Sequence, residues 1–227
     1  MRSVLMTLTS LGLSLFGGQS HADDPPKPRA KPSAKSEKPI PPHKAADGDA
    51  PLAAGWPGGT EPGKIEIKRY PAYRSAVAQA KGASQSADNV LFWPLFNHIS
   101  RKGVIMTAPV VNTYSNSKML ENPKAQGEMS MEFVYPSTKV GETGQGVGAV
   151  QVVDHPAATF VCLGVQGGMT PAFMSEGQAK LQIWLEEHKT EWVANGLPRR
   201  LGYHGPMTPV ARRLWEVQIP VVPVKAK

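Results

Sequence analysis

Two stretches of the chain alternate apolar and polar side chains, break at a proline and resume. Ile65-Glu66-Ile67-Lys68-Arg69-Tyr70 does so up to Pro71, and Val150-Gln151-Val152-Val153-Asp154-His155 does so up to Pro156, at an offset of 85 residues. Alternation of period two marks a strand with one face buried, and proline is excluded from the middle of a ladder, so each stretch predicts two strands joined at a corner or bulge. The resumed runs end in Gly82 and Gly167. A helical pattern follows each, from about Asp88 to Arg101 in the first copy and from Phe173 to Trp192 in the second. Each half closes on a strand, Met131-Glu132-Phe133-Val134-Tyr135-Pro136 and Trp215-Glu216-Val217-Gln218-Ile219-Pro220, with glutamate and proline at matched places. Two copies of strand, strand, helix, strand predict an α+β domain with pseudo-two-fold internal duplication, an antiparallel sheet carrying two packed helices. Either half alone is near the lower limit for a stable core, so the halves make one domain.

Upstream the pattern changes. Arg2 is followed by an apolar run from Val4 to Phe16, too short for a comfortable membrane span, and then by Ser20-His21-Ala22. This is the layout of a cleavable signal peptide over residues 1–22, which predicts export to a periplasmic or secreted location and no transmembrane segment after cleavage. Residues 23–62 hold ten prolines, six basic and six acidic residues and very few bulky apolar ones. Such a segment buries too little surface to offset its ordering entropy and is expected to be a disordered linker, leaving 63–227 as the domain.

Composition narrows the function. Residues 63–227 carry 18 basic and 12 acidic side chains, with the basic ones scattered in pairs rather than set in a stripe among aromatics, so nucleic acid is not an expected partner. Cys162 is the only cysteine and closes no intramolecular disulfide; in an alternating strand it is expected to be buried and inert. No nucleophile elbow, phosphate loop or metal-spaced cluster is present, and the chain is not expected to be an enzyme.

The residues Ile67-Lys68-Arg69-Tyr70-Pro71-Ala72-Tyr73, Leu95-Phe96-Asn97-His98-Ile99-Ser100, Ile105-Met106-Thr107-Ala108-Pro109-Val110, Gly202-Tyr203, Pro206-Met207-Thr208-Pro209 and Arg212-Arg213 occur in this order. Over essentially all of Gly63 to Val222 the chain thereby resembles the SOUL haem-binding family. The resemblance implies a distorted β-barrel with two flanking helices, built by internal duplication, and a surface groove for haem or another tetrapyrrole. Two departures stand out: Arg212-Arg213-Leu214-Trp215-Glu216 has one residue more than the family's usual run and no asparagine, and His98 stands where a tyrosine is common.

In the first helix Leu91, Leu95, Ile99, Phe92, Phe96 and Trp93 spread over roughly 200° of the circumference, about twice the stripe one core contact uses. Leu91, Leu95 and Ile99 are assigned to the core, and Phe92, Phe96 and Trp93 to a ligand groove, in keeping with the resemblance. Pro94 either kinks this helix or makes it begin near Trp93. His98 lies on the edge beside Leu91 and points away from Phe96, either as an iron ligand or as a hydrogen-bonded structural histidine. The resemblance places Tyr203 and His204 on the other wall, so a histidine ligand to iron would be His98, His204 or neither; Met106 and Met207 either pad the groove, supply a soft thioether or pack in the core. Propionates call for cations at the rim, for which Arg101, Lys102, Arg212 and Arg213 are candidates. An enzyme acting on a tetrapyrrole, or a binder of other amphipathic molecules in the same groove, are the competing readings.

Overall fold

The computed structural model describes residues 49–83, 87–116, 118–121 and 124–224. The expected signal peptide and residues 23–48 of the expected linker lie outside them. In chain order the elements are β1 (Ile65–Tyr70), β2 (Tyr73–Ala83), α1 (Asp88–Lys102), β3 (Val110–Tyr114), α2 (Lys118–Glu121), β4 (Gly127–Val134), β5 (Gly144–Gln145), β6 (Gln151–His155), β7 (Ala158–Gln166), α3 (Pro171–Glu187), β8 (Trp192–Ala194), β9 (Arg199–Gly202) and β10 (Leu214–Pro223). No helix among the described residues is long and apolar enough to cross a membrane.

The strands form one antiparallel sheet in the order β1-β7-β10-β9-β3-β4-β2-β6-β5, with β8 added to β10. Among the described residues no ladder joins the two ends, so the strand pairing gives an open sheet where a distorted barrel was expected. The chain itself links those ends. β1 pairs with β7 from Ile65 opposite Leu163 to Tyr70 opposite Ala158, and past the proline corners β2 pairs with β6 from Tyr73 opposite His155 onward, in unbroken register. Around the β9–β3 pair the order is mirrored: β10 and β7 flank one side as β4 and β2 flank the other.

Because side chains alternate, each strand feeds two cores. Odd-numbered positions of β10 and β7 (Val217, Ile219, Val161, Leu163) join Met129, Met131 and Phe133 of β4 under the helices, with Leu91, Leu95 and Ile99 of α1 and Met174 and Leu181 of α3. Even-numbered positions on those two strands face the other way, where Phe160, Cys162 and Leu214 meet Tyr70, Tyr73 and Tyr203. Cys162 is buried there as a free thiol, and burial pushes its pKa up.

That second face is covered by residues assigned in advance to a linker. Residues 49–62 form a strap: Leu52 bridges Ala108, Ala54 N–H donates to Pro136 O, and Pro62 bridges Gly164. Trp56 and Ala53 are buried in the second core. Residues 49–62 therefore belong to the folded domain, because Leu52 and Trp56 supply the apolar contact that the segment's average composition conceals. A second boundary also moves. α3 stops at Glu187 instead of Trp192, with His188 stacked on Trp184 at 3.8 Å and its backbone N–H donating to Trp184 O, after which Trp192 pairs with Pro223 in β8.

Candidate functional site

α1 runs unbroken through Pro94 and ends at Gly103, whose left-handed backbone (φ 63°) closes the helix, with Arg101 and Lys102 in the last turn. Its inward stripe is Leu91, Leu95, His98 and Ile99. Its outward face carries an aromatic group: Phe92 and Phe96 lie nearly parallel with centroids 5.9 Å apart, and Trp93 stands edge-on to both at 5.6 and 6.0 Å. Phe92 also rests on Phe133 at 5.2 Å, which roots the group in the helix-side core. Trp93 is 63% and Phe96 42% exposed. Such side chains usually bury their rings, so this face is an exposed aromatic patch on the helix. Asp88 fixes the start of the helix by pairing with the buried Arg200 of β9, which also donates to Asn112 of β3.

His98 is held inside. Its Nδ1 accepts from the Val147 N–H at 3.0 Å and its Nε2 lies 2.7 Å from the Tyr135 hydroxyl, so both nitrogens are engaged and neither faces the aromatic group. As placed, His98 serves the fold and offers no lone pair to iron. Tyr203 is 4% exposed and belongs to the strap-side core, so it is not a wall of a groove beside Phe92. His204 is half-buried and its Nδ1 accepts from the Leu214 N–H at 3.0 Å. Met207 is 93% exposed at the tip of its loop. Arg213 braces that loop, donating to Thr208 O at 2.9 Å and Pro206 O at 2.8 Å, and so is tied to backbone instead of standing ready for a carboxylate. An open depression of about 580 Å³ lies among Asp49, His204, Met207, Thr208 and Arg212, and no α1 residue lines it. The structure thus groups Phe92, Trp93 and Phe96, and puts Tyr203, His204, Met207 and Arg213 elsewhere.

Sequence reading missed the ionised interior beneath the strap. Glu216 is fully buried; its Oε1 takes the Lys68 ammonium at 2.6 Å and the Thr60 N–H at 2.5 Å, and its Oε2 takes Gln218 Nε2 at 2.5 Å. Lys68 also donates to Gly58 O at 2.5 Å, so one ammonium ties strap to sheet. Gln218 joins Tyr70 and Arg199, whose guanidinium stacks 3.5 Å from the Phe160 ring centre. Across the sheet Glu132 accepts from Ser75 at 3.0 Å and lies 3.2 Å from His155 Nε2. The available signal was the recurrence of glutamate at 132 and 216 inside otherwise apolar strands.

The SOUL heme-binding protein family matches residues 59–220. No curated protein matches the chain. Among solved structures it is similar to the C-terminal domain of EcmrR, with TM-score 0.57 and 18% identity over 71% of this chain and 98% of that one. An uncharacterised conserved protein from Listeria innocua gives 0.54 and 11% over 71% and 93%, and a hydrolase from the same organism gives 0.50 and 12% over 71% and 93%. At such identities these likenesses concern the fold alone. The family match spans most of the chain and includes the Tyr70–Tyr73 corner, α1, the Met106–Val110 segment and β10 as far as Pro220: this chain belongs to the SOUL haem-binding protein family.

Proposed function

We propose that the chain is an exported protein that holds haem or another tetrapyrrole reversibly, for capture, buffering or delivery outside the cytoplasm. The observation that carries this reading is the exposed aromatic group of α1 in a chain of a haem-binding family. Phe92 and Phe96 share one orientation and would lie along the macrocycle, Trp93 would close its edge, and Arg101 and Lys102 in the last helical turn are exposed cations for its carboxylates. Binding then rests on π-face contact and needs no histidine. The signal-like residues 1–22 support export, and the mirrored strand order supports an origin by duplication of one half.

Titration of the purified chain with haemin, followed by the absorbance shift, is expected to saturate. Phe96→Asp is expected to weaken binding by roughly 30-fold or more, since it removes about 2 kcal/mol of apolar contact and sets a carboxylate against the ligand. His204→Ala is expected to leave affinity within about threefold. Absence of saturable binding sinks the reading. If haemin fails while a hydrophobic dye binds and Phe96→Asp abolishes that, the face serves other amphipathic molecules.

A further inference from the structure

His98 is 1% exposed on the inward side of the helix that carries the aromatic group. A backbone N–H can only donate, so its contact with Val147 requires an unprotonated Nδ1, and the ring proton sits on Nε2 and is donated to Tyr135. Val147 belongs to the segment 141–149, which has four glycines in nine residues. That segment is moulded over the Tyr135–His98 pair. A Cβ on Gly141 would stand 2.9 Å from the Tyr135 ring, and one on Gly146 would stand 2.9 Å from His98 Cε1 and Nδ1. Its other ties include Arg74 to the Gly141 carbonyl, the Gly146 N–H to Val150 O, the Val150 N–H to Val147 O, Gln145 to the carbonyls of Gly148 and Val150, Gln151 to Gln145 Oε1, and the short β5–β6 ladder.

We propose that His98 is an acid-released latch that fastens the glycine-rich segment 141–149 to α1. A second proton can enter the ring only at Nδ1, where it meets the Val147 N–H donor to donor, so protonation breaks the contact. The groups that face the ring do not compensate. Lys102 of α1 is cationic, Tyr135 after β4 is a phenol whose pKa burial raises, and the segment presents a backbone N–H. Arg74 of β2 lies on the far side of Tyr135 and Glu142 acts on Arg74. Burial, with Lys102 adding to it, holds the imidazole below its ordinary value near 6.5. The closed segment therefore binds a proton less readily than the open one. Closure is complete above about pH 6.5 and weakens as pH falls, by up to about tenfold per pH unit, until the closed-state value is reached. Loss of the latch unpins the C-terminal half of α1, which carries Phe96, so acid would also loosen a bound tetrapyrrole; that consequence rests on the proposed function, whereas the latch does not.

Hydrogen exchange on the full chain tests it. Between about pH 7.5 and about pH 5 the protection factor of the Val147 amide is expected to fall by up to about tenfold per unit below 6.5. His98→Asn, whose Oδ1 accepts the same N–H without titrating, is expected to stay flat. Ring-nitrogen NMR shifts of the unmutated chain are expected to show the Nε2–H tautomer at neutral pH and a titration shared with the Val147 amide, an answer independent of how the variant folds. Constant protection across the range, an Nδ1–H tautomer, or the same fall in His98→Asn would overturn the latch. Haemin binding at no pH, with the latch titrating as described, would refute the tetrapyrrole reading and leave the latch standing.

Discussion

Glu216→Ala is expected to destabilise the protein by about 3–5 kcal/mol, seen as a lower urea midpoint at unchanged slope. The size follows from what the substitution leaves behind rather than from what the pair contributes. Lys68 is 7% exposed and its ammonium has Glu216 as its buried counter-charge, with Glu66 at 3.3 Å toward solvent. Without Glu216 a cation stays buried beneath the strap, and the Thr60 N–H and the Gln218 amide lose their acceptor together. Replacing both charges, as in Lys68→Met with Glu216→Leu, is expected to recover most of the loss, because a buried pair is worth little against an apolar pair of similar volume. A loss under about 1 kcal/mol in Glu216→Ala would show that water reaches the pair and that the strap does not seal it.

These residues also show how far the sequence could be read. The corner strands were legible because alternation and proline act locally, and the constant offset between the copies corresponds to an unbroken register across both corners. The split of α1 was legible for the same reason: Leu91, Leu95 and Ile99 at helical spacing go inward and Trp93 and Phe96 go outward. What escaped is non-local. A sheet buried on both faces makes alternation ambiguous, since each parity reads as core, and the burial of Glu132 and Glu216 does not follow from it. The second face owes its burial to a strap whose proline content reads as linker. The family resemblance placed Tyr203 on a groove wall, but the last paired residue of β9, Gly202, directs the next side chain into the strap-side core. His98 could be placed beside Leu91 by angle, but its partners Tyr135 and Val147 come from two other segments that no helical count reaches.

Trp56→Ala is expected to cost about 3–5 kcal/mol, the range for truncating a buried large aromatic, in a position that composition marks as linker. The indole is 6% exposed and meets Tyr70 at 4.9 Å and Tyr73 at 5.0 Å, both edge-on. Those tyrosines flank the proline corner of the first copy, so the indole is the apolar anchor where the strap crosses the bend. On one side of it Asp49 staples the strap by accepting from the Gly205 N–H and the Thr208 hydroxyl, both at 2.6 Å. On the other, strap backbone lies so close to Gly164 that a Cβ there would stand 2.3 Å from Glu61 O. Between those points the strap is tied by the Ala108 N–H to Pro51 O, its own Ala54 N–H to Pro136 O, its Thr60 N–H to Glu216 and the Lys68 ammonium to Gly58 O, none of which fills the space that the ring leaves. Trp56→Phe, which keeps an edge-on ring, is expected to retain more than half of the stability lost in Trp56→Ala. Limited proteolysis should then cut the alanine variant within residues 50–60 before any other site. Haemin affinity is expected to stay within about threefold in both variants, because Phe92 packs with the helix-side core and Trp56 with the other, and distant sites without shared partners act additively. A stability loss under about 1 kcal/mol would make the strap a passenger on the sheet, and a haemin affinity that fell in step with stability would join the two faces into one site.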